Sequence, residues 1–91
     1  MVLLKKISPN NPDYFIYLGS LARSQYELNL WPEALTTYNQ AINLYGLPEA
    51  YFYRGLTELK LQQTAAGCQD LQEADKLGYS NAKEELVKLC N

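Results

Sequence analysis

Histidine is absent from this chain, and cysteine appears only at Cys68 and Cys90. The missing histidine removes the commonest general base and the usual partner of a serine or cysteine nucleophile. Two cysteines alone do not complete a four-ligand zinc site. No apolar run approaches the roughly 20 residues that a bilayer demands. The opening Met1-Val2-Leu3-Leu4-Lys5-Lys6 is too short for a signal-peptide core and has no small-residue cleavage site. Positive charge is scarce as well: eight Lys and Arg stand against ten Asp and Glu, a net charge of -2. Only Lys5-Lys6 cluster, so no cationic stripe offers itself to phosphate. The expectation is a soluble, non-enzymatic chain without cofactor or metal, neither inserted in a membrane nor bound to nucleic acid. The cytoplasm is favoured, unless the two cysteines are bonded.

What is present points to packing. Ninety-one residues, 47% hydrophobic and 20% charged, make one globular domain with enough apolar surface for a core. Eight tyrosines suit positions where a ring packs and a hydroxyl stays wet. Proline and glycine punctuate the chain into helices. Asn11 and Pro12 read as cap and first residue of a helix over 12–28, with Phe15, Leu18, Leu21, Ala22 and Leu28 at near-helical spacing. Pro32 opens a second helix, 32–44, and Gly46 closes it; Pro48 opens a third, 48–61. A fourth covers 65–77 and ends at Gly78. Ser80 or Asn81 caps a last helix in which Ala82, Leu86, Leu89 and Cys90 share one face. Connections this short force antiparallel neighbours.

The second helix, Trp31 to Tyr45, places Ala34, Tyr38 and Ala41 on one face. Thirty-three residues later the chain repeats the device with Gly67, Leu71 and Ala74. The same shift carries Ala22 onto Gly55, whereas a shift of 36 aligns Pro12–Gly19 with Pro48–Gly55. The first repeat therefore holds three extra residues, and its first helix is expected to be about one turn longer than the third. Glycine mid-helix costs about 1 kcal/mol in propensity, so Gly67 marks a close helix crossing.

Small, large and small residues at this period resemble the tetratricopeptide repeat, a helix–turn–helix unit of about 34 residues. The matching residues are Leu18-Gly19 or Leu21-Ala22, Ala34, Tyr38 and Ala41, then Tyr51, Gly55, Gly67, Leu71 and Ala74. The tail from Gly67 to Cys90 also resembles the ends of many bacterial members. The resemblance implies an all-α fold: antiparallel helix pairs in a short right-handed α-solenoid. Residues 1–91 form one domain, with repeats over 12–45 and 48–78 and a capping helix over 80–90. Residues 1–8 read as the remnant of a preceding helix.

In this family the first helix of each pair lines a groove that holds a peptide. Carried over, the groove residues are Ile16, Ser20 and Arg23 from the first helix and Phe52, Leu56 and Lys60 from the third. Phe52 and Leu56 read equally as groove or core; Leu59 reads as core. The function implied is a protein-interaction module with a peptide or protein partner. The alternative is a structural module that self-associates through its first repeat. Cys68 and Cys90 lie at similar heights on antiparallel helices, and both a disulfide and two buried thiols remain open. Asp70, Glu73 and Asp75 lack the spacing of a calcium loop and read as a solvated acidic patch.

Overall fold

The computed structural model describes residues 7–90, and these fold into five α-helices with no strand. They are α1 (Tyr14–Glu27), α2 (Trp31–Tyr45), α3 (Pro48–Lys60), α4 (Thr64–Lys76) and α5 (Ser80–Leu89). The expected helical remnant falls on residues 1–6 outside this range, while Ile7 and Ser8 are not helical.

Prolines stand in the first turns of α2 and α3, followed by Glu33 and Glu49 at the positive helix ends. Gly46 and Gly78 take left-handed φ of 60° and 94° at the ends of α2 and α4. Two boundaries differ from expectation. α1 is only one residue longer than α3, because Pro12 and Asp13 form a tight turn ahead of it. That turn is held by the Asn11 carboxamide, which accepts from the Asp13 amide at 2.8 Å, and by the Tyr14 amide donating to the Asn11 carbonyl. Neither Ser80 nor Asn81 caps α5 with its side chain; Tyr79 occupies the cap position in extended backbone.

The repeat is written into the backbone. After α1 the amides of Leu28, Asn29 and Leu30 donate to the carbonyls of Ser24, Tyr26 and Gln25. After α3, with every number raised by 33, Leu61, Gln62 and Gln63 donate to Thr57, Leu59 and Glu58. The central residues, Asn29 and Gln62, have φ of 62° and 63°.

Packing follows the same register. Gln25 meets Thr37 and Phe15 meets Tyr45, so α1 and α2 are antiparallel. Gly55 and Gly67 mark the α3–α4 crossing, where a Cβ built on Gly67 falls 2.8 Å from the Gly55 carbonyl oxygen. Ala22 and Ala34, 33 residues earlier, are both fully buried. One core joins Leu18, Ala22, Ala34, Tyr38, Ala41 and Ala50; a second joins Phe52, Leu71, Ala74 and Ala82. Tyr53 borders both. Within the expected apolar stripe of α1, Leu18 and Ala22 are buried, but Phe15 and Leu28 face solvent because Tyr14, Tyr17 and Tyr26 supply the packing instead.

Candidate functional site

α1 and α3 run side by side in the same direction: Arg23 reaches Glu49, and three residues on, Tyr26 meets Tyr53. The seam between them carries two open grooves. The first, of about 570 Å³, is lined by Phe15, Ile16, Gly19, Ser20, Arg23 and Glu49, among others. The second, of about 420 Å³, is lined by Tyr26, Leu56, Leu59, Lys60, Glu85 and Leu89. Residues 49, 53, 56 and 60 follow helical spacing on α3, so the two grooves are ends of one stripe. Arg23 divides them, its guanidinium 4.4 Å from the centre of the Tyr53 ring. Glu27 at 3.4 Å and Glu49 at 3.9 Å also share its charge.

The six residues expected in the groove separate accordingly. Ile16, Ser20 and Arg23 come together in the first groove, Leu56 and Lys60 in the second. Phe52, which by sequence reads equally as groove or core, is core: at 5% exposure it lies against Tyr53 and Tyr79 and lines neither groove. One residue of helix rotation separates it from Tyr53, whose ring does border the seam. Leu59, expected in the core, is half-buried and serves both, packing on the second core and lining the second groove. Leu89, expected on the inward face of α5, is exposed and forms groove wall.

Sequence reasoning missed Tyr26, Glu85 and the aromatic end of the seam. Tyr26 stands 33 residues before Leu59, so the repeat itself held the signal. Trp31 closes this end, with its ring 5.3 Å from Tyr26 and 5.8 Å from the Lys60 ammonium. Desolvation raises the Tyr26 hydroxyl above its ordinary pKa, helped by neighbouring Tyr53 and Glu85. Tyr38, stacked on Tyr53 at 6.1 Å, has a buried hydroxyl with no partner, and burial displaces its ionisation strongly upward.

A charged cluster lies behind the seam. Asp70 was expected in a solvated patch; it is 7% exposed and accepts two hydrogen bonds from Arg54, from Nε at 2.6 Å and Nη2 at 2.8 Å. Arg54 also donates to Asn39 of α2 at 3.1 Å, tying the two repeats together. Glu58, 8% exposed, stands 3.9 Å from Arg54 Nε. Burial pushes its carboxyl up to about 8, with the neighbouring Asp70 adding to the effect and Arg54 opposing it. Glu58 and Asp70 are the 33-residue counterparts of Gln25 and Thr37, whose side chains bond at 2.7 Å. The first pair joins two neutral side chains, whereas the second sets Glu58, with its raised carboxyl pKa, beside the Arg54–Asp70 ion pair.

Cys68 of α4 and Cys90, just beyond α5, are joined by a disulfide with Cα atoms 5.8 Å apart. Among the described residues no group of three His, Cys, Asp or Glu is placed to hold a metal ion, and no helix is long and apolar enough to cross a membrane. No family model matches the chain, and no curated protein or solved structure matches it. What stands on the geometry is an all-α protein whose packing of adjacent helices is consistent with a helical repeat.

Proposed function

We propose that this chain is a two-repeat, tetratricopeptide-like interaction module, a short right-handed α-solenoid closed by α5. It binds a peptide segment of a protein partner along the α1–α3–α5 seam and carries out no catalysis. The observation that carries this is the seam itself: two adjoining grooves with apolar floors on the first helices, with cations Arg23 and Lys60 beside them. Exposed Ile16 and half-buried Leu56 leave apolar surface where a partner side chain would displace water. The test is a peptide array followed by titration of the best ligands, read by Trp31 fluorescence. Ile16→Glu and Lys60→Glu change exposed positions and spare the core, and each is expected to weaken binding about tenfold or more. Unchanged affinity in both variants refutes the assignment.

A second reading draws on the end of the molecule where Phe15, Ile16, Leu44, Tyr45 and Leu47 are all exposed. Self-association there would bury this cluster and make the chain a structural, oligomer-forming module. Light scattering decides it: a mass that stays monomeric across a hundredfold concentration range removes it.

A further inference from the structure

α5 is the least secured wall of the seam. Its first half is anchored: Ala82 is fully buried and Tyr79 packs on Phe52 at 4.8 Å between ring centres. Its second half is not. Val87 and Leu89 are 63% and 48% exposed, and Lys88 pairs with Glu84 in solvent. Leu86 and Cys90 are only partly buried against the second core, and Cys90, one residue beyond the helix, adds the covalent tie. A helix of ten residues has little stability of its own in water. Both cysteines are partly exposed, within reach of a small thiol. The two residues that α5 gives to the second groove, Glu85 and Leu89, stand in this loosely held half.

We propose that the Cys68–Cys90 bond is a redox latch that holds the second half of α5 as a wall of the peptide groove, so that a dithiol reductant opens the site. The groove's role as a peptide site rests on the function proposed above; the latch itself does not. In the exchange, one thiolate of the reductant attacks a sulfur of the pair, forming a mixed disulfide and expelling the other cysteine as thiolate. The reductant's second thiol then displaces the remaining cysteine. The sulfur–sulfur bond has taken up two electrons and two protons, and the reductant leaves as its own disulfide. Gly55, Leu59, Gly67 and Leu71 make the α3–α4 contact without either sulfur, so the opening is local.

Hydrogen exchange on the full chain, with and without dithiothreitol, separates a latch from a simple staple. Expected on reduction is exchange at least about tenfold faster at amides 86–90, with α1, α2 and α3 unchanged. The Cys68→Ser/Cys90→Ser protein should show the same local pattern without reductant, and neither protein should lose its helical circular dichroism at 25 °C. Unchanged protection in α5 overturns the proposal, because the bond then holds nothing the packing does not. Loss of protection throughout the chain also overturns it, because the bond is then a staple of the whole fold. Neither measurement contains a peptide, so failure of peptide binding leaves the latch standing and failure of the latch leaves the groove standing.

Discussion

Replacing Gly67 with alanine sets two known effects against each other. Alanine is favoured over glycine inside a helix by about 1 kcal/mol. Against that gain, the new methyl would sit 2.8 Å from the Gly55 carbonyl oxygen and 2.8 Å from Leu59 Cγ. Ordinary contact begins near 3.4 Å, so α4 must retreat by several tenths of an ångström along the face that Gly55, Leu59 and Leu71 share. Overpacking of this kind costs about 1–3 kcal/mol. Gly19 provides the control, since it too is mid-helix but a Cβ there meets nothing within 4 Å. In the comparison of Gly67→Ala with Gly19→Ala the propensity gain cancels, leaving the packing cost of about 1–3 kcal/mol. Urea titrations of the oxidised proteins, read by circular dichroism, measure it. Gly19→Ala should be more stable than the parent and Gly67→Ala no more stable than it, with melting points separated by about 4 °C or more. Equal stabilities would refute the close crossing. Gly55→Ala meets the Gly67 carbonyl oxygen at 2.9 Å. The double variant should therefore cost less than the sum of the singles, because one helix displacement relieves both.

Glu58→Gln places at 58 the residue that occupies 25 in the first repeat. Because the Glu58 carboxyl is raised from the ordinary range to about 8, the native state holds a proton that the unfolded chain releases earlier. Its contribution is complete below the unfolded pKa and is lost as pH rises through about 8. The parent should therefore weaken from pH 5 to pH 9 and Glu58→Gln should not, with a gap of at least about 1.4 kcal/mol at pH 9; identical pH profiles by urea titration would disprove the buried acid. Arg54→Met leaves the buried Asp70 carboxylate beside Glu58 without its cation and is expected to cost about 3–5 kcal/mol near neutral pH, a figure that thermal melts test. Gln62→Gly should stabilise, because a left-handed backbone costs a residue with Cβ about 1–2 kcal/mol; a lowered melting point would contradict the turn geometry.

Helix order, the turn glycines and the close crossing at Gly67 were readable because each is set by local chemistry: proline at a first turn, left-handed glycine at an end, a missing side chain at a crossing. What was misread depends on partners distant in sequence. Asp70 looks like surface beside Glu73 and Asp75, and only Arg54 and Glu58, on another helix, make it a core residue. Phe52 and Tyr53 are both aromatic neighbours on α3, and the rotation of the helix about its axis decides which faces the seam. The spacing predicts a first helix about one turn longer than the third, but Pro12 and Asp13 lie in a turn and α1 exceeds α3 by one residue. Leu89 is apolar and exposed because α5 has no further helix to cover that side among the described residues.

The two versions of the polar contact between paired helices also bear on how the chain finds its own topology. The turns after α1 and α3 share one hydrogen-bond pattern, and small residues stand at matching positions, Ala22 with Ala34 and Gly55 with Gly67, so these features do not tell the two helix pairs apart. The polar contacts do. If α3 took the place of α1 against α2, its Arg54 guanidinium would lose the bidentate carboxylate of Asp70 that neutralises it. A repeat protein built from near-copies risks assembling its units in the wrong order. Here the second unit carries the Arg54–Asp70 ion pair where the first has Leu21 and Thr37, and that difference tells the copies apart.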